Sequence, residues 1–487
     1  MMMTKHNTPG KSWPLFLLPF ILLSCAQNPK VAEELTITPN IIFIMTDDLG
    51  YADIGPYGQQ KIQTPNLDQL AAEGMTFTQF YAGTSVCAPS RAVLMTGLHT
   101  GHVEIRGNKQ YKTRNGQYPL TPGVPTVATV LKEAGYTTGM IGKWGLGDPN
   151  TPGKPSNHGF DYFFGYTDQV LAHNYYPEYL WRNDEKVFLD NEVNYLDSTL
   201  WHDGLGSYST QKVDYSHDLF VEDALAFLDK NKDTSFFLYL PLTIPHDNGE
   251  QVDSMVFEVP NPGIYANKDW DKKAKDYAAM ITRMDEGIGQ ISARLQELGL
   301  EENTVIFFTS DNGPMRNNPT TTFFNSNGPL RGGKRDLYEG GIRVPLIARW
   351  SGRIAPGSTS DHLSAFWDVL PTFAAIAAHP IPNQTDGISF LPTLLGADDQ
   401  KAHEALYWEF HEGDGLQAIR QGKWKAVRLN AKTDPTNPVE LYNLETDLGE
   451  EQNQAEQFPE KAKELDNLMA ASRTHSDLFP LAGQVKD

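Results

Sequence analysis

Four short apolar runs constrain this chain more than any other feature, because each ends abruptly in polar residues. Ile41-Ile42-Phe43-Ile44-Met45 runs into Thr46-Asp47-Asp48, and Thr137 to Ile141 runs into Gly142-Lys143-Trp144-Gly145. Phe236 to Leu240 leads through Pro241 and Pro245 to His246. Val305-Ile306-Phe307-Phe308 leads into Thr309-Ser310-Asp311-Asn312-Gly313. Short apolar runs of this kind read as buried strands, as in a parallel sheet. Helical patterns alternate with them at Asn66 to Glu73, Val127 to Ala134, Leu219 to Lys230 and Tyr277 to Leu298. The alternation predicts an α/β fold with a mostly parallel central sheet flanked by helices.

Sheets of this kind bind ligands beyond the carboxyl ends of their strands. Asp47, Asp48, Lys143, His246, Asp311 and Asn312 all fall on that edge. Each alone reads as a turn residue, since Asp-Asp-Leu-Gly and Asp-Asn-Gly form turns readily. Four strand ends that deliver oxygens, a cation and an imidazole to one rim predict a site. The oxygen donors Asp47, Asp48, Asp311 and Asn312 suit a hard cation, Ca²⁺ ahead of Mg²⁺, whereas zinc favours His or Cys.

The chain has 487 residues and a formal charge of −21. That length suits a large domain plus a smaller one. So acidic a chain lacks the basic footprint that a nucleic-acid partner requires, and an anionic substrate needs positive charge gathered in a pocket. At the N-terminus, Lys5 and Lys11 precede an apolar run, Trp13 to Leu23, that is too short to span a bilayer and reads as a targeting segment. Leu22-Leu23-Ser24-Cys25 resembles a bacterial lipobox. Residues 1–24 are therefore expected to be a signal peptide, Cys25 a lipidated residue and 25–38 a polar tether to a bacterial membrane, periplasmic or at the cell surface. The alternative is an ordinary secretory signal. Cys25 and Cys87 are the only cysteines. With Cys25 lipidated, Cys87 is a lone thiol in an exported protein, either inert in a core or put to use.

Cys87-Ala88-Pro89-Ser90-Arg91 continues through Ala92-Val93-Leu94-Met95 to Thr96-Gly97. This spacing resembles the signature of the type I sulfatases, in the alkaline phosphatase superfamily: Cys, any residue, Pro, Ser, Arg, four positions, Thr-Gly. The family's second signature is similar to Gly135-Tyr136-Thr137-Thr138-Gly139-Met140-Ile141-Gly142-Lys143-Trp144. Asp47-Asp48-Leu49-Gly50, Ser310-Asp311-Asn312-Gly313, and Gly333-Lys334 with Tyr338-Glu339-Gly340-Gly341 also match, in the family's order. The resemblance runs from residue 39 to about residue 450.

The resemblance implies that a formylglycine-generating or sulfatase-maturing enzyme oxidises Cys87 to formylglycine. One hydroxyl of the hydrated aldehyde would attack sulfur and form a sulfate ester, and the other, once deprotonated, would expel sulfate. Arg91 would hold the nucleophile, Lys143 and Lys334 would bind sulfate, and His246 would protonate the leaving oxygen. Asp47, Asp48, Asp311, Asn312 and residue 87 itself would hold the metal that polarises the sulfate oxygens. Pro89 marks a helix start, and the free N–H groups there favour an anion at residue 87. One position departs from the pattern. Many members have His two residues after the signature lysine, and this chain has Gly145. The base for sulfate elimination is thereby left unassigned, with His173, His102 and His158 as candidates.

Residues 363 to 377 read as a helix. Beyond about residue 400 come short strands at Ala405 to Phe410, Leu416 to Arg420, Trp424 to Val427 and Glu440 to Asn443, then a charged helix from Pro459 to Ala471. This is similar to the family's smaller domain, an antiparallel sheet with one helix. A catalytic domain is thus expected over 39–400 and the subdomain over 401–487. His173, His411 and Arg420 are candidates to shape the substrate pocket. Tyr175, Tyr176, Tyr179 and Trp181 read first as packing and second as a surface for sugar rings. The expected activity is hydrolysis of a sulfate ester on a sulfated polysaccharide or oligosaccharide. The alternatives are a formylglycine-dependent phosphodiesterase or phosphonate monoester hydrolase, and a lipoprotein that binds sulfated glycans without turning them over.

Overall fold

The four apolar runs pair side by side. The computed structural model describes residues 38–109, 117–196, 206–250 and 257–481; the expected signal peptide and Cys25 lie outside the described residues. Strands β1 (Asn40–Thr46), β2 (Met75–Tyr81), β3 (Thr137–Lys143), β4 (Tyr162–Tyr166), β5 (Tyr179–Arg182) and β6 (Glu185–Phe188) share one sheet with five later strands. These are β9 (Phe236–Pro241), β10 (Thr304–Ser310), β11 (Arg343–Trp350), β12 (Ser358–Ser360) and β13 (Ser364–Ala365). Between them in sequence, β7 (Glu192–Tyr195) and β8 (Ser207–Gln211) form a separate ribbon. The order is β12-β2-β11-β10-β1-β9-β3-β4-β5-β6, with β13 also on β2. The centre, β10-β1-β9-β3-β4, is parallel. β11 and β5 add antiparallel on either side of it. Thr46 pairs with Ser310, so Asp47 and Asp311 leave the sheet side by side.

The central strands are mostly apolar between their ends because both faces are covered. Helices α1 (Pro65–Ala72), α2 (Cys87–Thr96), α3 (Val127–Glu133), α4 (Ser216–Asn231) and α5 (Lys272–Glu297) divide between the two faces. Ile42, Ile44, Leu238, Leu240, Ile306 and Phe308 share one core with Phe220 of α4 and Met280 and Met284 of α5. The alternate residues point the other way. Phe43, Phe237 and Phe307 each meet the ring of Phe373, in the helix Val369–Ile376, at 5.7, 5.9 and 5.1 Å. On that face α2 is buried along its whole length. Pro89 occupies its first turn, where a missing N–H leaves no bond unmade. Gly97 ends it at φ +68, its N–H bonded to the Val93 carbonyl at 3.0 Å.

The helix expected over 363–377 is shorter. Ser364–Ala365 join β2, Phe366–Asp368 form a single tight turn, and only Val369–Ile376 is α-helical. Asp368 causes the break: its carboxylate accepts from the Ala365 and Ile388 N–H groups, each at 2.8 Å. Beyond it, β14 (Leu406–Phe410), β15 (Leu416–Gln421), β16 (Trp424–Leu429) and β17 (Glu440–Asn443) make a small antiparallel sheet. Helix Pro459–Ala471 packs on it through Leu465 and Met469. From Thr38 onward the described residues form one compact unit.

Candidate active site

Cys87 stands at the N-terminus of α2, facing the ends of β1 and β10. Its Sγ lies 3.4 Å from Asp47 Oδ1. Lys143, the last residue of β3, donates to Asp47 Oδ2 at 2.6 Å. Arg91, one turn along α2, donates to Asp311 Oδ2 at 2.8 Å and to the Lys143 carbonyl at 2.6 Å. Ser90 Oγ donates to the Asp311 carbonyl at 2.6 Å. Ser90 and Arg91 thus fasten the helix start to two strand ends. Asp48 Oδ1 accepts from Asn312 Nδ2, and Asp48 Oδ2 from Lys334 Nζ, both at 2.7 Å. Lys334 also donates to His246 Nε2 at 2.9 Å. His246 Nδ1 sits 2.6 Å from the Asp247 carbonyl, so Nδ1 carries the proton and Nε2 accepts.

Three carboxylates, Asp47, Asp48 and Asp311, face three cations, Arg91, Lys143 and Lys334, all buried. Burial alone would raise the Asp47 pKa, but Lys143, His246, Arg91 and Lys334 outweigh it and hold the carboxyl well below its ordinary range. Asp311 is pushed up to about 7, by burial first and then by the charge of Asp47. The Cys87 thiol is pushed up to about 12 for the same two reasons. Burial, then Lys334 and His173, hold His246 well below the usual imidazole value. A cavity of about 370 Å³ opens over Cys87, and Gln169, His173, His246, Lys334 and Glu412 are in its wall.

The residues at its floor fit a metal ion. Ligand atoms of Asp47, Asp48, Cys87 and His246 lie within 4.8 Å of one another. Beside them Asn312 Oδ1 is buried with no hydrogen-bond partner. An orphaned carbonyl oxygen among carboxylates is the donor set that a hard cation takes.

The remaining sequence candidates divide. His173 joins the site: its ring stacks on His246 at 4.3 Å, and its Nδ1 lies 3.0 Å from Glu250 Oε1. His102 pairs with Asp386 at 2.9 Å and His158 packs on Trp144 at 6.0 Å; neither lines the cavity. His411 and Arg420 are also placed elsewhere, contrary to expectation. His411 Nε2 is held by Glu409 at 2.7 Å. Arg420 is buried with its guanidinium on Tyr81 and Gln79. The neighbouring Glu412 lines the cavity instead, 2.9 Å from Arg335. Of the aromatic cluster, Tyr175 is fully buried, and its hydroxyl lies 2.7 Å from the carbonyls of Thr243 and His246. It packs, and it steadies the turn that carries His246. Gln169, Glu250 and Glu412 carry no strand-end or motif signal, and the sequence reading missed them.

A family model described as Sulfatase matches residues 39–379, and one described as N-sulphoglucosamine sulphohydrolase, C-terminal, matches residues 332–475. Arylsulfatase A of Homo sapiens is 34% identical to this chain over 473 residues, covering 89% of this chain and 86% of the human one. N-acetylgalactosamine-6-O-sulfatase of Bacteroides thetaiotaomicron is 31% identical, over 94% of this chain and 98% of its own. The crystal structure of Ps i-CgsB in complex with k-i-k-neocarrahexaose shares the fold at a TM-score of 0.73 and 27% identity, covering 90% of this chain and 93% of that one. The Sulfatase match takes in every strand of the large sheet and the helix that begins at Cys87, and the chain belongs to the sulfatase family of sulfuric ester hydrolases.

Proposed function

We propose that this enzyme removes sulfate from a sulfated polysaccharide or oligosaccharide, with residue 87 oxidised to formylglycine by a dedicated maturing enzyme and with a calcium ion beside it. The carrying observation is Cys87 at a helix start, 3.4 Å from Asp47, on the floor of a cavity that Lys334 and His246 also line. Formylglycine would supply the attacking hydroxyl and the cation would polarise the sulfate oxygens. Oxygen donors from two separate strand ends suit calcium's irregular shell better than magnesium's octahedron. In the site itself, three carboxylates balance three cations, so a divalent ion leaves a local positive surplus for an anionic ester within an acidic protein. Arg91 stays protonated and keeps residue 87 in place against Asp311. Lys143 and Lys334 neutralise the sulfate. His246 rests neutral, and the charge of an arriving anion favours a proton on Nε2, from which the leaving oxygen is protonated.

Two relatives support a carbohydrate substrate: one is named for N-acetylgalactosamine 6-O-sulfate, and the other holds a neocarrahexaose. A lipid on Cys25 would keep the enzyme at a bacterial membrane, facing the periplasm or the exterior. Cys87→Ala tests the reading. Turnover of an aryl sulfate is expected to vanish while the circular dichroism spectrum stays unchanged; full activity in that variant overturns the mechanism. The wild-type enzyme is assayed alongside on an aryl phosphodiester, and faster turnover of that ester would assign the phosphodiesterase activity instead.

A further inference from the structure

Among the described residues that line the cavity over Cys87, Gln169 alone has buried side-chain polar atoms without a partner, and both its Nε2 and its Oε1 are so placed. The residue is 7% exposed. Its position follows from the backbone. Beyond β3 and β4 the two chains continue side by side: Trp144 N–H donates to the Tyr166 carbonyl at 2.9 Å and Gly145 N–H to the Thr167 carbonyl at 3.2 Å. Asp168 Oδ1 then accepts from the Val170 and Leu171 N–H groups, each at 2.8 Å, and turns the chain. Gln169 N–H is fixed by Gln117 Oε1 at 3.2 Å. The carboxamide comes to rest over Gly145, where a Cβ would stand 1.9 Å from Gln169 Nε2. Gly145 also has φ +74, which disfavours any side chain. The empty place at residue 145 is therefore the room that the amide fills. Lys143, two residues earlier, bonds the Asp47 carboxylate that meets Cys87 Sγ. Residue 145, over which the amide rests, thus follows by two positions the residue whose side chain reaches the cavity floor.

We propose that Gln169 binds the sulfate group of the substrate directly, its amide N–H donating to a sulfate oxygen, and that Gly145 admits it. The inference rests on the sulfatase reading above. An amide neither carries charge nor takes up a proton in the working pH range, so Gln169 binds and orients but does not serve as the base. Lys143 and Lys334 attract an anion as point charges, whereas a carboxamide donor adds direction. A donor that is already desolvated and unpartnered breaks no protein bond when the anion arrives, so its full strength goes into binding.

The test uses the full chain with Gln169→Leu, which keeps the bulk and removes the amide. For an aryl sulfate, kcat/KM is expected to fall about a hundredfold, as when one preorganised donor is removed, with both limbs of the pH profile unmoved. Inorganic sulfate, titrated calorimetrically, is expected to bind at least about tenfold more weakly, as for loss of one hydrogen bond to a charged group. Gln169→Asn withdraws the amide by one methylene and should lie between Gln169→Leu and wild type. It carries the test by itself if Gln169→Leu does not fold. A folded Gln169→Leu or Gln169→Asn with wild-type kcat/KM and sulfate affinity overturns the assignment, as does a shifted pH profile at unchanged sulfate affinity. Wild-type enzyme that turns over no aryl sulfate sinks the sulfatase reading itself, a separate outcome.

Discussion

Asp47 and His217 are both buried almost completely, and their neighbours send them in different directions. Around Asp47 four basic groups outweigh desolvation and the carboxylate stays charged. At the Cys87 thiol nearby, burial and then the charge of Asp47 outweigh the same cations; with a pKa pushed up to about 12 it stays protonated at neutral pH. A protonated thiol is a weak nucleophile, which is a chemical reason for the oxidation proposed at this residue. His217, in α4, has Asp218 against Arg283 and no net compensation, so burial lowers its pKa to about 4. The unfolded chain has a histidine near 6.5, so between pH 6.5 and about 4 it binds a proton that the folded chain refuses. Folding stability from this residue is therefore whole above pH 6.5 and declines as pH falls, by up to about 1.4 kcal/mol per pH unit. His217→Leu is expected to flatten that part of the curve of urea midpoint against pH. An unchanged slope would show that His217 is not the group responsible.

β3 and β4 come unusually close where they deliver Lys143 and Gln169. Gly142 (φ +131) and Gly165 (φ +151) are paired in register, and a Cβ on Gly165 would lie 1.9 Å from the Gly142 carbonyl oxygen. Backbone cannot move aside as a side chain can, so Gly165→Ala is expected to cost about 2–4 kcal/mol. It should also lower kcat/KM by displacing Lys143, which follows Gly142. Wild-type thermal stability in the variant would count against this account. The same elements show what sequence could and could not convey. β1, β3, β9 and β10 were legible because burial on both faces leaves short, mostly apolar runs, and their polar ends made Asp47, Asp48, Lys143, His246, Asp311 and Asn312 legible with them. β11 begins with Arg343 and contains Pro345, and β2 carries Thr76, Thr78 and Gln79 among its apolar residues, so neither stood out although both belong to the large sheet. Gln169 and Glu412 reach the cavity, and Glu250 reaches His173, from loops, through contacts distant in sequence that no local pattern encodes.

The small sheet and the catalytic sheet are joined by polar groups closed off from solvent, and the junction touches the segment leading to Cys87. Trp408 Nε1 donates to the Ala82 carbonyl at 3.0 Å, and Thr84 Oγ1 to the Glu409 carbonyl at 2.8 Å. Arg420 holds Tyr81 and Gln79. Behind them Lys425 of β16, with no exposed surface, lies 3.0 Å from Glu339 and 2.9 Å from Glu450. Glu339 also accepts from the Tyr81 hydroxyl at 2.6 Å and follows Lys334 by five residues, so the network reaches both sides of the site. One cation serves two carboxylates here. Against the opposing effect of burial, Lys425, Arg420 and Arg343 bring Glu339 to about 2. Burial and Glu339 push Glu450 up to about 7 despite Lys425. Lys425→Met keeps the aliphatic bulk and removes the charge, leaving Glu450 without a cation beside Glu339. Removing one partner of a buried ion pair costs about 3–5 kcal/mol, and the urea midpoint is expected to fall accordingly. Adding Glu450→Gln should recover part of the loss, because the amide oxygen can still accept the Glu339 N–H that Glu450 now holds at 2.6 Å, without a second buried charge. If the single variant is as stable as wild type, the ion cluster does not hold the two sheets together. If the double variant is no better than the single, the loss comes from packing at residue 425 rather than from charge. With the charge account upheld, the small sheet clamps the segment between β2 and α2, and so sets where residue 87 stands.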